Sequence, residues 1–269
     1  MHLQRGGDED DSAAVIAATY TVWQHLFAAL AAIGGGLVNA VAGGGTLISF
    51  PVLTAIGVPS VRANATNTVA LLPGYLGGVY AQRSDLAGLS KQIKPQLVTA
   101  LIGGLIGSVL LIVTSDSAFR AIVPFLILSA VILMAVQDRI RTAIFKPGQQ
   151  HSDHPVLQIV SIFAAAVYGG YFGAGLGIML LAVLGLFSDR PFSQINAVKL
   201  ILAFSANLTA AIFLSFSGKV VWSIALVMIP AALLGGNLGG RVARIVPAKK
   251  MRAFVIAFGF VVAIIYFVK

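Results

Sequence analysis

Asn64, Thr66, Asn67 and Thr68 form a short run of amides and hydroxyls inside an apolar stretch, and Asn196, Lys199 and Asn207 form a sparser one in the second half of the chain. Asn64 and Asn67 are three residues apart, as are Asn196 and Lys199, so on helices each pair shares a face. Amide and hydroxyl donors arranged as a stripe suit an oxyanion that accepts several hydrogen bonds at once, such as a sulfite or a sulfonate. Lys199 would add the compensating charge. Each candidate also has a bland alternative. Asn64 and Asn196 are equally suited to hydrogen bonds between helices, and Lys199 has a stem long enough to snorkel to an interface. Against snorkelling, a lysine at membrane depth costs ~2.5 to 3.5 kcal/mol on insertion scales, which usually implies a role.

The stretch that positions these groups is GGGLVNAVAGGGTLISFPVLTAIGVPSVRANATN, residues 34 to 67. Glycines interrupt it twice, and the segment Thr46 to Ile56 is only about eleven residues, or ~17 Å of helix, half a bilayer. A second, weaker version lies at residues 168 to 199. Unwound backbone at membrane depth is tolerated only where it is buried in protein or lines a polar cavity. A half-helix starting at such a break aims its free N–H groups and positive dipole end inward, where an anion accepts them. Gly43, Gly44 and Gly45 in the first break and Gly175 and Gly177 in the second are therefore candidate ligand-binding positions. Asn39 and Tyr171 occupy matching places beside the two breaks, where each either lines the cavity or bonds a freed backbone group.

Composition sets the class. Of 269 residues 58% are hydrophobic and 10% charged, and the apolar residues come in runs of about twenty, the length that crosses a hydrocarbon core. The chain reads as an all-α polytopic membrane protein with about eight full transmembrane helices plus short half-helices, its partner being the lipid bilayer. Beyond a first span at 13 to 33, spans are expected at about 64 to 82, 96 to 114, 119 to 136, 194 to 215, 220 to 240 and 250 to 268, with a broken region at 156 to 187. The first glycine run, Gly34 to Gly36, is expected to end the first span. Residues 1 to 12, which hold Asp8, Glu9, Asp10 and Asp11, read as a retained disordered acidic tail.

The nine carboxylates all fall in this tail or in predicted loops, and the net charge is +9. Cation-coupled carriers usually bury Asp or Glu, so this distribution favours an anionic cargo, although basic loops that set topology account for most of the charge. There is no cysteine, which removes disulfides and thiolate metal sites. No His-Glu-x-x-His or Gly-x-Ser-x-Gly motif occurs, so an enzyme is not expected. His151 and His154 flank Asp153 in a predicted solvated turn with no further ligand nearby. No cofactor, metal or nucleic-acid partner is expected, and a homodimer is compatible with the composition.

At an offset of 132 residues Gly43 and Gly45 meet Gly175 and Gly177, Pro59 meets Pro191, Asn64-Ala65 meets Asn196-Ala197, and Arg120-Ala121 meets Arg252-Ala253. Gly103, Gly104 and Gly107 likewise meet Gly235, Gly236 and Gly239; their small-xxx-small spacing reads as a packing face rather than a site. Two repeats follow from this pattern, residues 13–137 and 156–269, joined by a linker at 138–155. If each half-helix returns across the membrane, every half has an odd number of passes. The basic residues then sort sharply, with Arg83, Lys91, Lys94, Arg139, Arg141, Lys146 and six more from Arg190 to Arg252 on one face, and Arg5, Arg62, Arg120, Lys219 and Lys269 on the other. The expected architecture is two inverted structural repeats with glycine-broken helices. Its basic face is cytoplasmic, both termini lie outside the cytoplasm, and its location is the inner membrane.

The segments AGGGTLISFP and GVPSVRANATN resemble the first signature of the TauE/SafE sulfite exporter family, within the toluene sulfonate uptake permease superfamily. NAVKLILAFSANLTAAIF and GKVVWSIALVMIPAALLGGNLGGRVARIVP with Met251-Arg252 resemble the family's closing helices. The resemblance covers nearly everything after residue 30. It implies a duplicated permease for a small anionic substrate, sulfite, an organosulfonate or a carboxylate, moved in either direction. The second glycine run, GAGLG, departs from the family pattern, with Val183 where Pro51 stands in the first half.

Overall fold

A computed structural model of the chain describes residues 20–41, 44–144, 154–188, 190–242 and 248–268. Among them every regular element is helical: α1 (Val22–Val41), α2 (Thr46–Ala55), α3 (Ser60–Ala81), α4 (Ser90–Val113), α5 (Asp116–Ile144), α6 (Pro155–Tyr171), α7 (Leu176–Leu186), α8 (Phe192–Phe216), α9 (Trp222–Val242) and α10 (Ala248–Val268), with one 3-10 turn at Arg83–Leu86. Punctuation in the sequence sets the ends. Pro155 opens α6 at its first helical position, where a missing N–H costs nothing. Pro191, in an extended conformation, precedes α8. The Ser115 hydroxyl accepts the Ala118 N–H to cap α5.

Six helices, α1, α4, α5, α8, α9 and α10, are long and apolar enough to cross a membrane. The expected eight include α3, which is long enough at 22 residues but carries Arg62, Asn64, Thr66, Asn67 and Thr68, and α6, which has only 17 residues. The polarity of α3 is matched by its burial, since every residue from Ala63 to Leu71 is buried. The outer helices instead expose large apolar side chains such as Phe125, Leu226 and Phe254. An unpaired apolar surface of that kind fits hydrocarbon and not water.

Two features differ from expectation. Gly34 to Gly36 do not end a helix, because α1 runs through them to Val41. A Cβ at Gly36 would lie 2.3 Å from the Ala232 carbonyl oxygen of α9, so these glycines serve close packing, and the contact offsets their poor helix propensity. The linker also starts later than expected: residues 138 to 144 are the last turns of α5, whose Arg139 and Arg141 are good helix formers. The acidic tail and residues 145–153 lie outside the described residues.

Topology follows from the contacts. Gln24, in the first turn of α1, donates to the carbonyl of Ile56 just after α2, and Gly35 of α1 lies against Gly45 and Ser49 at the other end of α2. Thus α2 runs back along α1 to the end at which α1 began. In the same way α7 folds back along α6: Gly169 abuts Leu176, and Gln158 donates to the Phe187 carbonyl at 3.5 Å. The first hairpin enters from the near end of the bundle, where bonds from Val61 to Asp116 and from Val221 to Thr66 tie α3 to the starts of α5 and α9, and one between Thr54 and Tyr266 ties the end of α2 to the finish of α10. The second enters from the far end, where Asn196 meets Gln82, Arg190 meets Gln92 and Arg252 pairs with Asp138.

The outer helices pair across the chain. Gly235 and Gly239 of α9 ride on the Ile33 and Leu37 carbonyls of α1, and Gly103 and Gly107 of α4 ride on the Phe163 and Val167 carbonyls of α6. A Cβ at Gly107 would sit 2.0 Å from the Val167 oxygen and one at Gly235 2.1 Å from that of Ile33. No side chain fits there. The central pair α3 and α8 packs together between these outer pairs.

Candidate functional site

The two hairpin tips reach the same stretch of α5. Gly44 lies against Met134, and Gly175 lies against Ala130, one helical turn away. Gly44, Gly173 and Gly175 have φ of 85°, 82° and 81°, a left-handed region that residues with a Cβ enter at a cost. Gly45 has ordinary helical angles but a different constraint, since a Cβ there would lie 2.2 Å from the Gly35 carbonyl oxygen. Gly43 lies outside the described residues.

Amides from α3 pack beside these tips. The Ser49 hydroxyl of α2 donates to Asn67 Oδ1 and lies 3.1 Å from the Gly45 carbonyl oxygen, and Asn67 Nδ2 donates to Thr46 Oγ1 at 3.3 Å. Asn64 Nδ2 donates at 2.7 Å to the carbonyl of Tyr171, the last residue of α6. This bond satisfies one of the carbonyls that a helix end leaves free. It also fixes the orientation of the Asn64 amide, whose Oδ1 is fully buried and has no partner. Tyr171 therefore contributes its backbone to the break, while its hydroxyl points away to Thr114 Oγ1 at 3.4 Å. The Asn39 side chain faces the Tyr75 hydroxyl across α1 and α3.

A second polar group sits lower, toward the far end. Lys199 Nζ donates to Asn196 Oδ1 at 2.7 Å, and Asn196 Nδ2 donates to Gln82 Oε1 at 2.7 Å. The Lys199 stem lies against the first turn of α7, its Cδ 3.9 Å from where a Cβ of Gly177 would be. Gln82 lies about 27 Å beyond Asn64 along the direction of α3, so the head of Lys199 is drawn toward the far end while its stem stays against the second hairpin tip. Side chains on a helix lean toward its N-terminus, and Asn196 draws the Lys199 head that way.

Three other candidates have their polar groups committed elsewhere. Thr66 Oγ1 accepts the Val221 N–H at 2.9 Å, a bond that anchors the start of α9. Thr68 donates to the Asn64 carbonyl of its own helix. Asn207 Nδ2 donates to Ala203 O, one turn back, leaving Oδ1 facing Gly173. The sequence reading missed Ser49, Thr46, Tyr75 and Gln82. Tyr75 had a signal, because it stands 132 residues before Asn207, whereas the others look like ordinary helix residues until their partners are known.

Comparison with known proteins places this architecture. The profile of the family described as "Sulfite exporter TauE/SafE" matches residues 27–266. The chain belongs to the TauE/SafE family. It is 27% identical over 221 residues to a probable membrane transporter protein of Haemophilus influenzae, spanning 80% of this chain and 84% of that one. It is also 27% identical over 248 residues to the probable membrane transporter protein ORF9 of a Sinorhizobium species, covering 89% and 92% of the two chains. The probable membrane transporter protein YfcA of Escherichia coli is 23% identical over 207 residues, 77% of this chain and 76% of its own. No solved structure matches the chain. Family membership and the apolar helices agree that this is a multi-pass membrane protein.

Proposed function

We propose that the chain is an inner-membrane permease for a small sulfur-containing anion, sulfite or an organosulfonate, held between two inverted repeats where the hairpin tips meet. Transport rather than catalysis fits the relatives, which are named as probable membrane transporters. The duplication is supported by element starts that recur at the offset of the sequence repeat: Ser60 and Phe192 open α3 and α8, Ser90 and Trp222 open α4 and α9, Asp116 and Ala248 open α5 and α10. The reciprocal pairing of α1 with α9 and α6 with α4 supports it further.

Lys199 is the observation that carries the reading. Its ammonium is held by a neutral amide rather than a carboxylate, and its stem touches the first turn of α7, whose N-terminal N–H groups and dipole also favour negative charge. A cation in that setting is balanced when an anion is bound. The second amide N–H of Asn64 and of Asn67, the Thr46 hydroxyl and the glycine backbone supply donors that replace the anion's water shell beside the hairpin tips. The deciding experiment is uptake of radiolabelled sulfite, an aryl sulfonate and acetate into liposomes holding the purified protein. Saturable movement of a sulfur oxyanion that is lost in Lys199→Met is the expected result; no movement of any of these anions would sink the reading.

A further inference from the structure

We infer that the cleft at the near end, lined by Asp116, Ser117, Arg120, Ala121 and Tyr266, is an anion vestibule with Arg120 as its docking residue, closed off from the amide chamber by one layer of aromatic rings. The cleft encloses about 540 Å³, enough for a small oxyanion with part of its water shell. The inference rests on the reading of the hairpin tips as the binding place.

Arg120 is free to take a ligand. Among the described residues its one ion pair is with Asp116, one turn earlier, at 3.4 Å with the arginine side chain 69% exposed, a geometry that contributes little. The carboxylate is otherwise engaged, accepting the Val61 N–H at 2.9 Å at the start of α3. The remaining guanidinium N–H groups form a planar fork suited to a sulfonate or sulfite. Local charge singles this residue out. Among the described residues, by helix placement, the far end carries Arg83, Lys91, Lys94, Arg190, Lys249 and Lys250 among others, while the near end has Arg62, Arg120 and Lys219. An arginine retained at the base-poor end, beside a cleft, is not explained by topology.

The rings connect cleft and chamber. Tyr266 lines the cleft, bonds Thr54 and stacks on Phe50 at 6.3 Å between centroids. Phe50 meets Phe172 at 5.5 Å and Phe119 at 6.2 Å, and Phe119 meets Tyr171 at 5.6 Å. Each ring is anchored to a site element: Phe50 follows Ser49, Phe172 follows the Tyr171 carbonyl that Asn64 holds, and Phe119 precedes Arg120. Phe50, Phe119 and Phe172 are essentially fully buried, so the passage is shut in this conformation, and movement of the α2 and α6–α7 tips opens it.

The absence of cysteine makes thiol accessibility the direct test. In phosphatidylcholine vesicles, S117C is treated from the near side with an anionic methanethiosulfonate sulfonate and with its cationic trimethylammonium counterpart. Arg120→Ala is expected to lower the anionic-to-cationic rate ratio roughly tenfold, and Arg120→Lys to restore most of it; an unchanged ratio in R120A overturns the docking role. Protection of the thiol by added phosphatidylglycerol but not by sulfite would assign the cleft to a lipid headgroup and overturn the vestibule. Behind the rings, S49C, or T46C should the first not assemble, is expected to react slowly from the near side and several-fold faster with Phe50→Leu or Tyr266→Leu. Reaction from the far side alone, insensitive to those changes, overturns the path. Labelling needs no turnover, so its failure leaves the liposome uptake result standing, and the reverse also holds.

Discussion

Buried polar side chains in this protein separate by what a replacement would expose. Asn64 makes one hydrogen bond between helices, and such bonds within membranes average about 0.6 kcal/mol. Asn64→Leu is therefore expected to shift the melting temperature in detergent only slightly while cutting sulfite uptake by tenfold or more. A large loss of stability with proportionate loss of uptake would instead make the residue a structural clip. Lys199→Met is expected to act in the opposite sense on the two readouts. Removing a cation at membrane depth relieves a cost of roughly 2.5 to 3.5 kcal/mol on insertion scales, so the variant should accumulate at least as well as the parent and yet transport nothing. Lys199→Arg should keep part of the activity, and comparing its apparent KM with that of the parent reads the change in anion affinity.

At the scale of elements, the glycines divide into those that turn the chain and those that let helices touch, and sequence spacing separated them only partly. The half-length helices that start at Thr46 and Leu176 were anticipated in the sequence, because a short apolar segment follows a glycine run in each half. The run at Gly34 to Gly36 was misread because glycine costs a helix only about 1 kcal/mol per residue, which contact with α9 offsets, and that contact lies far along the chain. Much of the candidate site was hidden for the same reason: Ser49 and Gln82 gain meaning from Asn67 and Asn196, on other helices. Space on the glycine faces gives a graded prediction. Gly107→Ala and Gly235→Ala place a methyl within about 2 Å of backbone oxygen, and overpacking of this kind costs about 1 to 3 kcal/mol or more. Gly236→Ala has open space around the added methyl and should melt close to the parent, slightly above it if helix propensity dominates. Equal melting temperatures for all three variants would contradict the close packing of α4 on α6 and α1 on α9.

For the whole molecule, the asymmetry of charge sets orientation. Positive residues concentrated at the far end favour the cytoplasm for that end, the orientation we propose. A thiol introduced by Ser84→Cys, beside Arg83, is then expected to react with an impermeant reagent only in inside-out vesicles, and one at Ser117 only in right-side-out vesicles. The opposite pattern would turn the proposed vestibule toward the cytoplasm. The two hairpins enter from opposite ends and meet at α5; on the proposed reading of inverted repeats, a small tilt of α3 and α8 against the outer pairs would shift access from one end to the other.

The crossed pairing of outer helices also has a consequence for how the chain is made. α1 cannot find the glycine face of α9 until roughly two hundred further residues have left the ribosome, a wait on the order of ten to forty seconds at ordinary synthesis rates. During that interval α1 sits in lipid with a surface that only the unborn α9 can fill, whereas α4 waits only about sixty residues for α6. Nascent chains stalled before α9 should be recognised as incomplete by membrane proteases, and the two halves expressed as separate polypeptides should each persist only in the other's company.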